Sequence, residues 1–294
     1  MAVTGKQPGL PSVLTDEQLA SAKLLPRRRP WTWVAAVAVA LILANSLYSI
    51  ITNPGFGWPV VGAYFFSPQV MAGLFTTLML TAISMTLALL LGIIVAVAAA
   101  SHNPVLSLVA RGYIWIFRAI PLLVQIIFWY NLAALYPRLG FGFPFLPSIV
   151  EFETNSVITA ISAAIIAMSM NEGAYMAEIV RSGLNSVDSG QREAARALGM
   201  SSWDSFRRIV MPQAMRVIIP PTGNETLSML KYTSLVSVIA LPDLLYSTQL
   251  ISSRNFEVIP MLLVASLWYL IVSTILMIIQ SGIERHFSKS VVRP

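Results

Sequence analysis

The sequence has no cysteine. Disulfides and thiolate metal sites are therefore excluded. Histidine occurs only at His102 and His286, and neither has partners spaced for a metal. Charge is scarce: 11% of the 294 residues are Asp, Glu, Lys or Arg, where a soluble domain carries about 25%. The P-loop pattern G-x-x-x-x-G-K-[ST] does not occur, so this chain does not cradle ATP itself. No Ser/His/Asp set or carboxylate arrangement suggests hydrolysis, and no residue is assigned a catalytic role.

What is abundant is apolar sequence. Hydrophobic residues make up 56% of the chain, and several runs exceed the roughly 20 residues that cross a bilayer. The expected fold is an all-α polytopic membrane protein with about six transmembrane helices. Residues 1–30 are polar and proline-dotted, a flexible tail with a short helix around Asp16–Lys23, and they do not resemble a signal peptide. The basic run Arg27-Arg28-Arg29 precedes a first span at 31–51. Further spans are expected at about 70–100, 105–135, 155–180, 220–241 and 259–283, and a tail at 286–294. The segment at 136–153 reads as an outer loop, and an outer segment follows Pro242-Asp243 and ends near Glu257.

Charge sets the orientation. Of the 19 Lys and Arg residues, all but Arg138 and Arg254 fall on one side or in the adjoining span halves. Positive residues mark cytoplasmic loops, so both termini are expected inside. The net charge of +6 is accounted for in this way and does not point to nucleic acid.

One polar stretch interrupts the apolar chain. It runs from Glu193 to Pro212 and reads EAARALGMSSWDSFRRIVMP. On a helix Ala194, Ala195 and Leu198 share a face, with Arg192 and Arg196 opposite. Gly199 is the expected stop, and Ser201 with Asp204 reads as a capping box that opens a second helix. Inside the spans, Thr77, Thr81, Ser84 and Ala88, with Gly92 nearby, make a small-residue seam suited to close helix packing. Arg118 lies within the third span, where it snorkels or pairs, and a kink is expected at Pro121.

Intramembrane polar residues are functional candidates because an unpaired one is costly. Glu172 follows Asn171 in the fourth span. Its carboxylate suits the ammonium or cationic side chain of an amino acid; equally, it suits a structural lock with Lys231 or Arg181. Glu178 and Arg181 are spaced for a local pair. In the fifth span Asn224, Ser228 and Lys231 share a face, and Glu225 lies about 100° round from it. The substrate-binding candidates are thus Asn171, Glu172, Asn224, Glu225 and Lys231.

The stretch EAA, three residues, Gly, nine residues, Ile-x-x-Pro resembles the EAA loop of permease subunits of ABC importers, with Met211 where Leu is usual. Phe117-Arg118-Ala119-Ile120-Pro121-Leu122-Leu123-Val124-Gln125 looks like the FRGTPLLVQ signature of the polar amino acid permeases, with Ala-Ile replacing Gly-Thr. The runs Gly223-Asn224-Glu225 and Met229-Leu230-Lys231-Tyr232-Thr233-Ser234-Leu235-Val236-Ser237-Val238-Ile239 resemble the same group. The resemblance covers residues 68–285. It implies a five-helix type I ABC importer permease core with one extra N-terminal span, and a coupling loop at 186–212. It implies that Glu193, Ala194, Ala195, Arg196 and Gly199 dock a separate ATPase, which holds ATP and Mg. It further implies an extracytoplasmic solute-binding protein, a second permease chain, an amino acid substrate, and a place in the bacterial cytoplasmic membrane among its lipids. The alternative from another class is a secondary transporter driven by an ion gradient, with Glu172 and Lys231 as the coupling pair.

Overall fold

The computed structural model describes residues 30–142 and 149–288. The expected tail helix at Asp16–Lys23 lies outside the described residues. The chain divides into two units, Met1–Asn53 and Pro54–Pro294. The first contains α1 (Pro30–Thr52), a helix of 23 residues with no charged residue in its first or last turn. At 1.5 Å per residue it is about 35 Å long, enough to span a bilayer. Its apolar side chains are exposed on every face, as for a helix solvated by lipid.

The second unit opens with the short helix α2 (Trp58–Tyr64) and is built around α7 (Ala160–Asn185), which packs against α3 (Pro68–Ala99), α4 (Pro104–Ala119), α5 (Leu122–Tyr130) and α10 (Met211–Tyr232). The closest of these pairings is α3 with α7. Thr77, Thr81, Ser84, Ala88 and Gly92 are all buried along α3, so the small-residue seam is the face that meets its neighbours. Small residues bring the backbones close where lipid supplies no hydrophobic drive between helices. Gly92 sits at the tightest point: a Cβ there would lie 2.5 Å from Met176 Cβ. Gly92→Val is therefore expected to cost about 1–3 kcal/mol through overpacking. Gly112→Val, where a Cβ meets nothing within 4 Å, serves as the control. Thermal melting in detergent should show a lowered midpoint for the first variant only; equal midpoints would refute the close approach.

Among the described residues three helices are by themselves long and apolar enough to cross a membrane: α1, α3 and α12 (Val258–Ser288). Two more spans are bent pairs. The last is α7, 26 residues long, whose polar residues include Glu172, Glu178 and Arg181. Among the described residues the total is the expected six, one N-terminal helix in addition to a five-helix core.

Several boundaries differ from the sequence reading. The third span is not continuous. It breaks between α4 and α5 with a bend of 101°. Pro121 cannot donate to the helical ladder and pushes Ile120 into an extended conformation. Gln125 Nε2 donates to the freed Phe117 and Ile120 carbonyls, at 3.0 and 2.8 Å. The fourth span starts five residues later than expected, after the short helix α6 (Thr154–Val157), and runs on to Asn185.

The fifth span begins well before Pro220-Pro221, which lie inside α10. Prolines are tolerated in spans where neighbouring helices and hydroxyls support the backbone. Here Thr222 Oγ1 donates to the Ile218 carbonyl at 2.8 Å. A 3-10 turn at Thr233–Ile239 continues it, and the segment after Pro242-Asp243 forms helix α11 (Leu244–Asn255), packed on α3 and α12. Asp243 caps α11 through the Leu245 and Tyr246 amides. The loop at 136–153 forms a small antiparallel hairpin of β1 (Arg138–Phe141) and β2 (Val150–Glu153). The C-terminal tail is shorter than read, since α12 continues to Ser288.

Candidate functional site

Two groups of residues concern function. The first is the polar turn. Helix α8 (Ser189–Ala197) is capped by Asp188, whose Oδ1 accepts from the Gly190 amide at 2.6 Å. It ends in a Schellman arrangement: Met200 N–H reaches the Ala195 carbonyl and Gly199 N–H the Arg196 carbonyl. Gly199 has φ +73°, the left-handed conformation that glycine adopts without a Cβ penalty. Ser201 then caps α9 (Ser202–Ser205) by accepting from the Asp204 amide at 3.1 Å. The turn between two helices is thus as expected.

The faces are not. Ala195 is buried and Arg192 is half-buried, with one guanidinium nitrogen donating to the Leu184 carbonyl at 2.5 Å. Glu193, Ala194, Arg196 and Gly199 are exposed, and so is Leu198, at 81%. Ala195 therefore parts from Ala194 and Leu198. The 100° step from 194 to 195 carries it round to the inner side.

The second group surrounds the midpoint of α7. The bend between α4 and α5 opens a cavity of about 370 Å³ lined by Arg118, Asn171, Tyr175 and Tyr232, among others. Asn171 Nδ2 donates to the Phe117 carbonyl at 2.8 Å, so this side chain supports the bend. The Arg118 guanidinium lies over the Tyr175 ring, 5.1 Å from its centroid, a cation–π arrangement.

Glu172 is buried beside this cavity, at 1% exposure, and its Oε1 has no hydrogen-bond partner among the described residues. Its carboxyl lies near that of Glu225 on α10, within range of electrostatic interaction, and Arg118 acts electrostatically on Glu225. The expected lock partners are engaged elsewhere or free. Arg181 pairs with Glu178 at 2.5 Å. Lys231 is exposed and makes no ion pair among the described residues.

Asn171, Glu172 and Glu225 thus come together. Asn224 points to α12, where its Oδ1 accepts from Gln280 Nε2 at 3.1 Å, and Lys231 stands apart. Tyr175 and Tyr232 were missed by the sequence reading. Tyr175 follows Asn171 by four residues, the same-face spacing that could have found it. Among the described residues no group of His, Asp and Glu could hold a metal ion.

The profile of binding-protein-dependent transport system inner membrane components matches residues 88–289. The chain belongs to this family. It is 44% identical over 270 residues to the arginine transport system permease protein ArgU of Corynebacterium glutamicum, covering 91% of this chain and 84% of that protein. It is 33% identical over 218 residues to the glutamate/aspartate import permease protein GltK of Escherichia coli O6:H1, covering 74% of this chain and 93% of that protein. A solved amino acid ABC transporter structure with histidines superposes at a TM-score of 0.63 and 33% identity, covering 75% of this chain and 95% of that one. With the family established, the chain is a multi-pass ABC transporter permease of the five-helix core type.

Proposed function

We propose that the chain is the permease subunit of an ATP-driven importer for amino acids with a cationic side chain. The observation that carries this is the Glu172–Glu225 pair, set halfway along α7 inside the permease core. Two carboxylates this close repel each other, and a ligand cation relieves that repulsion. Arg118, which lines the cavity beside the pair, supplies a counter-charge for the ligand's α-carboxylate. The arginine permease relative agrees with that substrate class.

Energy comes from a separate ATPase that holds ATP and Mg and docks on Glu193, Ala194, Arg196 and Gly199 of the turn, with Ala195 as the small residue beneath. An extracytoplasmic solute-binding protein delivers the substrate, and a second permease chain completes the path. Both termini face the cytoplasm of a bacterial cell, as the charge asymmetry indicates. The ion-gradient alternative is not favoured, because it leaves the α8 turn without a role and rests on a Glu172–Lys231 pair that does not form.

The test is a gentle detergent purification of the chain from its own membrane, with identification of what accompanies it. A P-loop ATPase and a solute-binding protein that binds arginine or lysine are expected. A binding protein selective for acidic amino acids would overturn the substrate class. A chain that purifies alone and moves solute in liposomes without ATP would overturn the importer.

A further inference from the structure

A second cavity, of about 320 Å³, lies between α8 and the ends of α3 and α7. It is separate from the one at Arg118. Arg192 and Arg196 both line it, together with Asn185, Ser202 and Ser205. No carboxylate lines it, and neither arginine forms an ion pair among the described residues. Arg181 is paired with Glu178 and Arg208 with Asp204, and Arg207, which forms no ion pair among the described residues, is exposed and does not line the cavity.

Arg192 is the less exposed of the two. Its guanidinium donates to a neutral carbonyl, that of Leu184, and its Nε is buried with no partner among the described residues. A half-buried guanidinium beside a second one, with an orphaned N–H, lacks its counter-ion. Guanidinium forks and serine hydroxyls are the donor set that binds a phosphate oxygen. The charge asymmetry places this end of the spans at the cytoplasmic surface, where anionic headgroups are present and basic pockets between helices bind them.

We propose that this cavity is a binding site for a phosphate-class oxyanion, held by Arg192 and Arg196 with Ser202 and Ser205, behind the α8 turn. An occupant there ties α8 to the ends of α3 and α7. It would stiffen the element that the proposed ATPase moves; Arg196 belongs to both readings, so the test reads anion binding and not uptake.

The test uses the complete transporter, purified with whatever subunits accompany the chain. Native mass spectrometry during stepwise delipidation compares retained phosphatidylglycerol with phosphatidylcholine. Wild type should retain the anionic lipid selectively, or, when exchanged into phosphatidylcholine nanodiscs, bind inorganic phosphate by calorimetry. The first result identifies a lipid headgroup and the second a soluble anion. The pair Arg192→Gln/Arg196→Gln should weaken this binding roughly thirtyfold, from about 1 kcal/mol for each basic residue. Arg192→Lys/Arg196→Lys should keep much of it, which separates charge loss from misfolding. Arg207→Gln/Arg208→Gln removes equal charge from exposed positions that do not line the cavity, and should change nothing. Equal retention by wild type and the double glutamine variant, with no phosphate binding by either, overturns the proposal.

Discussion

Glu193→Lys is expected to abolish ATP-driven uptake while the chain still inserts and assembles with its second permease. Glu193 is exposed on α8 and makes no ion pair among the described residues, so the fold does not depend on its charge. Around it lie Ala194, Ala197 and the 81% exposed Leu198. A small, partly apolar surface that points away from its own core suits a partner's pocket. Reversing a charge within such a contact costs several kcal/mol, so ATPase affinity should fall on the order of a hundredfold or more. Co-purification of the ATPase and uptake in proteoliposomes measure this, and wild-type uptake would remove the docking role.

Gly199→Arg separates fold from surface at the same place. The φ of +73° makes any other residue cost about 1–2 kcal/mol there. The space around it is open, since an added Cβ meets nothing within 4 Å. The chain should therefore still assemble, and the loss of uptake should come from obstruction of the docking surface.

Glu172→Gln is expected to lower uptake of cationic amino acids ten- to a hundredfold, the range of a hydrogen bond to a charged group. The amide has nearly the shape of the carboxyl and still reaches Glu225, so assembly should survive. Glu225→Gln should act in the same direction. The double variant should lose less than the product of the two, because both substitutions remove parts of one cluster. Uptake measured across arginine, lysine and glutamine distinguishes the outcomes. Equal loss for all three would mean that the pair holds α7 to α10. Failed assembly of the single variants would mean the same, and unchanged arginine uptake would mean that the pair does not meet the ligand.

The burial of Glu172 fits a site that opens only in part of the transport cycle. In this structure Arg118, Tyr175 and Tyr232 line the cavity, and the carboxyl pair lies beside it. A ligand reaches the pair only if α10 shifts against α7. The prolines inside α10 are the place where that helix bends most readily. A movement of α8 would be passed on through the residues that follow it directly into α10, without any loose linker between them.

Much of this protein is determined by the order of its residues alone. Bilayer thickness imposes a length that apolar runs either meet or miss, so the spans are legible from composition. The α8 turn is equally legible, because Gly199 and Ser201 act on backbone groups within a few residues of themselves. The small-residue seam of α3 is visible because helical periodicity puts one face in line. Tertiary structure decided what those faces meet. Periodicity placed Glu225 off the Asn224 stripe, but only the packing of α10 on α7 brought it to Glu172, 53 positions away in the chain. Asn224 turned to Gln280 on α12 for the same reason. The bend at Pro121 was foreseen, yet its 101° came from Gln125 and Asn171, which take up the carbonyls that the proline frees. Local rules fix where backbone groups need partners, and long-range packing selects which side chain supplies them.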